Sequence, residues 1–115
     1  MSRFKSSPEF EKELKRLKEK YKSLDGDLRN LEDILSVRPT GGGKNFKIIH
    51  HSEKFKIVKV RLACRSLHKR SLRVIYAHHV EEVTFLYIEI YNKGDKENEN
   101  HERIKDYIKL QNAPV

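Results

Sequence analysis

Three consecutive strand-like stretches lie between residues 54 and 91, separated only by short polar breaks, and they limit the possible folds more than any other feature. In the first, Val58, Val60, Leu62 and Cys64 alternate with Lys59, Arg61 and Arg65, with the small Ala63 between them. A period of two marks a half-buried β-strand, whose successive side chains point to opposite faces. Residues 72–79 (LRVIYAHH) and 83–91 (VTFLYIEIY) follow, the latter dense in β-branched and aromatic residues. A further strand is expected over 46–50, with turns near His51-Ser52-Glu53 and Val80-Glu81-Glu82. Strands joined by tight turns pair antiparallel, because a parallel pair needs a long crossover.

The ends of the chain carry a different period. Phe10, Leu14, Leu17 and Tyr21 recur at spacings of four, three and four, which is one face of a helix. Ser7 is the expected N-cap with Pro8 at the first helical position, and Ser6 with Glu9 is the alternative capping box. Asp25-Gly26-Asp27 is read as the break before a second helix, whose apolar side holds Leu24, Leu28, Leu31 and Leu35. So short a link predicts an antiparallel helical hairpin over 7–36. Residues 92–100 (NKGDKENEN) form a polar loop, and a C-terminal helix is expected over 101–110 with Ile104, Tyr107 and Ile108 inward. A short edge strand is placed at the N-terminus, over residues 1–5 or 2–6. The prediction is therefore a single α+β domain over residues 1–115. It has a small antiparallel β-sheet over 46–91, two N-terminal helices packed on one face, and a C-terminal helix.

Charge is concentrated in the sheet. Residues 54–73 hold eight lysines and arginines and no acid, which matches the formal net charge of +8 for the whole chain. Such a concentration favours an anionic partner, nucleic acid first. Parity then sorts the side chains. If the apolar sets Val58/Val60/Leu62/Cys64, Leu72/Val74/Tyr76 and Thr84/Leu86/Ile88/Ile90 all face the helices, the opposite face gathers Lys59, Arg61, Arg65, Arg73, Glu89 and Tyr91. This holds only if no bulge interrupts a strand. Guanidiniums, a carboxylate and a phenol on one face suit phosphodiester chemistry. RNA brings its own nucleophile, the 2′-hydroxyl, and its cleavage needs a proton acceptor, charge stabilisation at phosphorus and a proton donor. Arginine forks onto phosphate oxygens and stays charged. Tyr91 or Glu89 is the candidate for proton transfer, and Tyr91 needs cationic surroundings to act as a base near neutral pH.

Other motifs exclude functions. Gly41-Gly42-Gly43-Lys44 lacks the spacing of a phosphate-binding P-loop and is followed by Asn45 and a strand, so it reads as a connecting loop. The adjacent pairs His50-His51 and His78-His79 point to opposite faces of their strands, and no zinc spacing is present. Cys64 is the single cysteine and falls on the apolar parity, as a buried thiol in a reducing compartment would. The first residues lack the apolar run of a signal peptide and no stretch is long enough to span a membrane, so a cytoplasmic location is expected, without membrane contact.

The stretches SSPEFEKELKRLKEKY and KVRLACRSLHKRSLRVIYAHHVEEVTFLYIEIYNKGDKEN resemble the first helix and the central hairpins of the RelE/ParE toxins of toxin–antitoxin modules, and the likeness extends over residues 4–108. The resemblance implies a RelE-like fold and one of two activities. RelE-like members are endoribonucleases that cut mRNA on the ribosome without a metal or other cofactor, and ParE-like members inhibit DNA gyrase. A module that only binds nucleic acid or antitoxin is the third possibility. On the RelE pattern, Arg61, Arg65 and Arg73 would stabilise phosphate charge, Tyr91 would take a proton-transfer or base-stacking role, and Lys59, Lys93 and Lys96 would contact RNA. Lys69 and Arg70 of the basic stretch are further candidate RNA contacts, and Glu89 stays with Tyr91 as a candidate catalytic residue of the open face. An acidic antitoxin partner is implied too. The chain departs from short members of the family by a helix after its last strand, and it has no match for their aromatic at the extreme C-terminus.

Overall fold

Ser7 starts the first helix. Its hydroxyl accepts the Phe10 N–H at 3.2 Å, Pro8 occupies the first turn, and Glu9 and Glu11 meet the positive end of the helix dipole. The computed structural model describes residues 3–68 and 70–112. Helix α1 runs over Pro8–Lys20 and α2 over Leu24–Val37. The break between them lies one turn earlier than Asp25-Gly26-Asp27, which instead form the first turn of α2. Two carboxylates at a helix N-terminus are favourable there, and they offset the helix propensity lost at Gly26.

The strands are β1 (Phe4–Ser6), β2 (Phe46–His51), β3 (Phe55–Ala63), β4 (Ser71–His79) and β5 (Thr84–Asn92), and helix α3 spans His101–Asn112. They form one sheet in the order β1-β5-β4-β3-β2. Four strands pair antiparallel as expected, but β1 runs parallel to β5, so the sheet is mixed. The two helices carry the chain from one edge of the sheet to the other, and β1 and β2 become the outer strands. Of the expected N-terminal edge strand, residues 1 and 2 lie outside the described residues.

Helices α1 and α2 cover one face. Phe10, Leu17, Leu24, Leu28, Leu31 and Leu35 pack there on Val58, Val60, Leu62, Leu72, Val74 and Tyr76. Fully burying each such side chain contributes about 1.5–3 kcal/mol. The parity expected for β5 fails in its first half. Tyr76 pairs with Tyr87 but Ile75 pairs with Glu89, so Ile88 is an extra residue at a bulge. Phe85 and Tyr87, expected on the outer face, therefore lie under the helices, with Phe4 stacked on Phe85 at 4.7 Å and Phe10 on Tyr87 at 4.9 Å. Beyond the bulge Ile90 also faces the helices, while Ile88 belongs to the opposite face.

That opposite face is not open along its whole length. Ile104, Tyr107 and Ile108 of α3 pack on Phe55, Ile57, Ile75, Ala77 and Ile88. Arg103 ties α3 to α1 through two contacts of 3.0 Å to Glu13 and donates a third to the Ile88 carbonyl. The Tyr107 hydroxyl bonds to His79, which stacks on Phe55. The glycine-rich connection is also packed: Gly41 has φ +63°, and a Cβ there would fall 2.2 Å from the Phe46 ring.

Candidate nucleic-acid interface

Two cross-strand rows lie at the end of the outer face away from most of α3, and they are largely buried: of their residues Arg61 alone is exposed and Lys59 is half-buried. In one, Arg61 of β3 pairs with Arg73 of β4, which pairs with Tyr91 of β5. In the next, Lys59, Ile75 and Glu89 stand in line. Directly paired residues on one face sit about 4.5–5.5 Å apart at Cβ, so two guanidiniums and a phenol are immediate neighbours. Arg61 is exposed, whereas Arg73 is 7% and Tyr91 4% exposed.

The electrostatics are unbalanced. Among the described residues neither Arg61 nor Arg73 forms an ion pair. Arg73 Nη1 donates to Ser71 Oγ at 2.7 Å. Burial and the neighbouring Arg61 both pull the Arg73 pKa below its ordinary value, and Tyr91 partly counters them. Like charges paired directly across a sheet are unfavourable unless an anion joins them.

Tyr91 is the second unusual group. Its hydroxyl is buried and donates to no acceptor among the described residues. Lys96 lies 5.1 Å from the centre of its ring, a cation–π contact. Burial raises the Tyr91 pKa, and the Lys59 ammonium beside it only partly offsets this. Tyr91 therefore keeps its proton at neutral pH. The condition set for Tyr91 to act as a base, cationic surroundings that lower its pKa, is not met.

Glu89 is also placed differently from its expected role. It is fully buried, its Oε1 accepts the Asn100 N–H at 2.8 Å, and its Oε2 is paired with Lys96. With both oxygens held, Glu89 anchors loop 93–100. Lys96 is correspondingly committed to Glu89, while Lys93 and Arg70 are exposed. Lys69 lies outside the described residues.

Arg65 is not on this face. Strand β3 ends at Ala63, and Arg65–Leu67 form a single 3-10 turn. Arg65 Nε donates to Asp27 Oδ1 at 3.0 Å, on the α2 side of the sheet. Ser23 and Ser66 fix this corner by exchanging backbone N–H to hydroxyl bonds of 3.0 and 2.9 Å. Burial would raise the Asp27 pKa, but bonds from Ser23 and Arg65 outweigh it and hold the carboxyl below its ordinary value. Asp27 and Arg65 are thus a structural pair.

The residue that sequence reasoning missed is Glu99. It lies in the polar loop and pairs with Lys59, Oε1 to Nζ at 2.9 Å, beside Tyr91. Its side chain is 10% exposed and that of Lys59 is 24% exposed, so the pair sits at the rim of the face. A loop of NKGDKENEN composition has no periodicity from which this placement can be read. Among the described residues no three His, Cys, Asp or Glu side chains converge as a metal ion would require, and no helix is long and apolar enough to cross a membrane. The chain matches no protein-family model and no curated protein sequence.

Proposed function

We propose that this protein is the toxin of a toxin–antitoxin module, with a RelE-like fold, and that it cleaves mRNA on the ribosome by attack of the substrate's own 2′-hydroxyl. One observation carries the reading: Arg61, Arg73 and Tyr91 stand side by side without an ion-pair partner among the described residues, next to Lys59, at the end of the sheet away from α3. A phosphodiester placed there meets two forked cations that share its charge and a phenol that holds its proton. Lys93 and Arg70, exposed on flanking segments, extend the basic track. An acidic antitoxin is the partner that such a surface implies, and the cytoplasm is where ribosome and antitoxin would meet it. The resemblance described above supports the same reading.

Expression of the full chain in bacterial cells tests it. Rapid arrest of translation with cleaved mRNA is the expected result, and Arg61→Ala and Arg73→Ala each relieve the growth defect while Arg65→Ala, if folded, does not. A DNA-damage response with intact mRNA refutes the nuclease reading in favour of gyrase inhibition. Full toxicity in the Arg61→Ala/Arg73→Ala double variant removes the site. Absence of any growth effect leaves only a binding module.

A further inference from the structure

We propose that Glu99 accepts the 2′-hydroxyl proton and that Tyr91 supplies the proton to the leaving 5′-oxygen. This assignment rests on the RNA-cleaving reading above and names the proton carriers that it requires.

Elimination on this face leads to Glu99. The Asn100 N–H and Lys96 occupy both oxygens of Glu89. Tyr91 keeps its proton, and among the described residues its hydroxyl donates to no acceptor. Glu99 is the other carboxylate that acts on Tyr91 among the described residues, and it is still reached by solvent. It is also positioned. Loop 93–100 is pinned to Glu89 at Lys96 and again at Asn100, on either side of Glu99 in sequence. The charged groups acting on Glu99 are Lys59, at 2.9 Å, and His101. Lys59 holds the carboxylate ionised and on target in the free protein. An arriving phosphate competes for the same ammonium. When Lys59 turns to a phosphate oxygen, a Glu99 oxygen is released beside the substrate.

The step balances without a further reactant. The 2′-oxygen forms a bond to phosphorus as the bond from phosphorus to the 5′-oxygen breaks. The 2′-hydroxyl proton passes to Glu99 and the Tyr91 proton passes to the departing 5′-oxygen. Arg61, Arg73 and Lys59 share the charge on the non-bridging oxygens. The products are a 2′,3′-cyclic phosphate and a 5′-hydroxyl, and proton exchange with solvent returns Glu99 and Tyr91 to their starting states. Opposed environments around a carboxylate and a phenol divide the acid and base roles in this way.

The experiment uses the full chain and its Glu99→Gln, Glu99→Asp and Tyr91→Phe variants. Cleavage is followed on mRNA in programmed ribosomes and on a free single-stranded RNA. Binding is followed with the same RNA carrying 2′-O-methyl groups, which cannot be cut. Glu99→Gln should cut at least about 100-fold more slowly, the usual scale for a lost proton acceptor. It should bind the blocked RNA as tightly as the parent or more tightly, because a negative charge has gone. Glu99→Asp should retain part of the activity, which guards against a folding defect in the amide variant. Tyr91→Phe should show the same split between binding and turnover. Cleavage by Glu99→Gln within threefold of the parent overturns the assignment. Faster cleavage overturns it as well, since the carboxylate would then merely block the phosphate site. A parent protein that neither binds nor cuts RNA overturns the RNA-cleaving reading itself, whereas a parent that cuts alongside an equally active Glu99→Gln overturns only the role of Glu99.

Discussion

Replacing Arg73 by methionine should make the protein more stable and less able to bind an anion. Arg73 is buried beside Arg61 and no carboxylate among the described residues pairs with either. Two guanidiniums about 6 Å apart repel by about 3 kcal/mol at an effective dielectric constant of about 20. Arg61 is exposed to solvent, and water and salt reduce this to about 1 kcal/mol. Methionine also removes the cost of burying a cation, while its unbranched chain keeps most of the packing. The loss on the other side is chiefly the bond from Arg73 to the Ser71 hydroxyl, 2.7 Å long, with two longer ones to the Ser71 and Leu72 carbonyls at 3.4 and 3.5 Å. A net hydrogen bond contributes about 0.5–1.5 kcal/mol, and Ser71 is only half-buried, so water replaces much of it. The expected balance is a gain of about 1 kcal/mol.

Urea denaturation of both proteins in low and high salt measures this. The gain should be clear at low ionic strength and shrink at high, because screening removes the repulsion from the parent protein. A short blocked RNA should raise the denaturation midpoint of the parent by mass action, and raise that of Arg73→Met much less. A variant that loses more than about 1 kcal/mol at low salt would refute the reasoning, since Arg73 would then be a packing residue. An effect independent of salt would refute its electrostatic part.

Two further predictions concern stability alone. Val83, at the exposed turn between β4 and β5, has φ 51°, a left-handed conformation that costs a β-branched residue about 1–2 kcal/mol. Val83→Asn should therefore stabilise the fold by about 1 kcal/mol in urea, and a loss of stability would show that the turn is not strained. Asp27 has a folded pKa below its ordinary value of 3.8. Its contribution is fully present above that value and is lost as pH falls through the folded pKa, because the unfolded chain binds the proton first. The stability difference between the parent and Asp27→Asn should thus be constant above about pH 5 and shrink from about pH 4 downward, and a difference that does not change with pH would refute the pairing with Arg65.

The parts of this fold that were legible in the sequence are those where neighbouring side chains differ sharply in polarity. In β3, Lys59 and Arg61 alternate with Val58, Val60 and Leu62, and in β4 Arg73 stands between Leu72 and Val74, so the assigned faces match the observed ones. In β5 every residue from Phe85 to Ile88 is apolar, so nothing in polarity distinguishes the two registers around the bulge. The aromatic volume of Phe85 and Tyr87 decides it, because these rings fill the space against Phe4 and Phe10. Arg65 was misassigned for a different reason. The alternation continues through Cys64, but the backbone leaves the sheet after Ala63, where Asp27 and Ser23 capture the next residues. The position of α3 over half of the outer face was not legible either, since a helix pattern of Ile104, Tyr107 and Ile108 says which side is apolar but not which sheet face it meets.

The two carboxylates near Tyr91 show why residue type and parity alone do not assign a role. Both Glu89 and Glu99 are ion-paired with a lysine. Glu89 sits on the strand with the expected parity, yet its partners consume both oxygens and it is sealed beneath loop 93–100. A buried acid held in this way fixes geometry, and its removal would displace the loop rather than report on chemistry. Glu99 has no parity at all, but Glu89 holds the loop that carries it, and its lysine stands where a phosphate would compete for it. The useful distinction is therefore how a carboxylate's bonds respond to substrate. Those of Glu89 are internal, whereas under the RNA-cleaving proposal the bond of Glu99 is one that an incoming phosphate would break. On that proposal the difference in partners puts Glu89 in the scaffold and Glu99 on the reacting side.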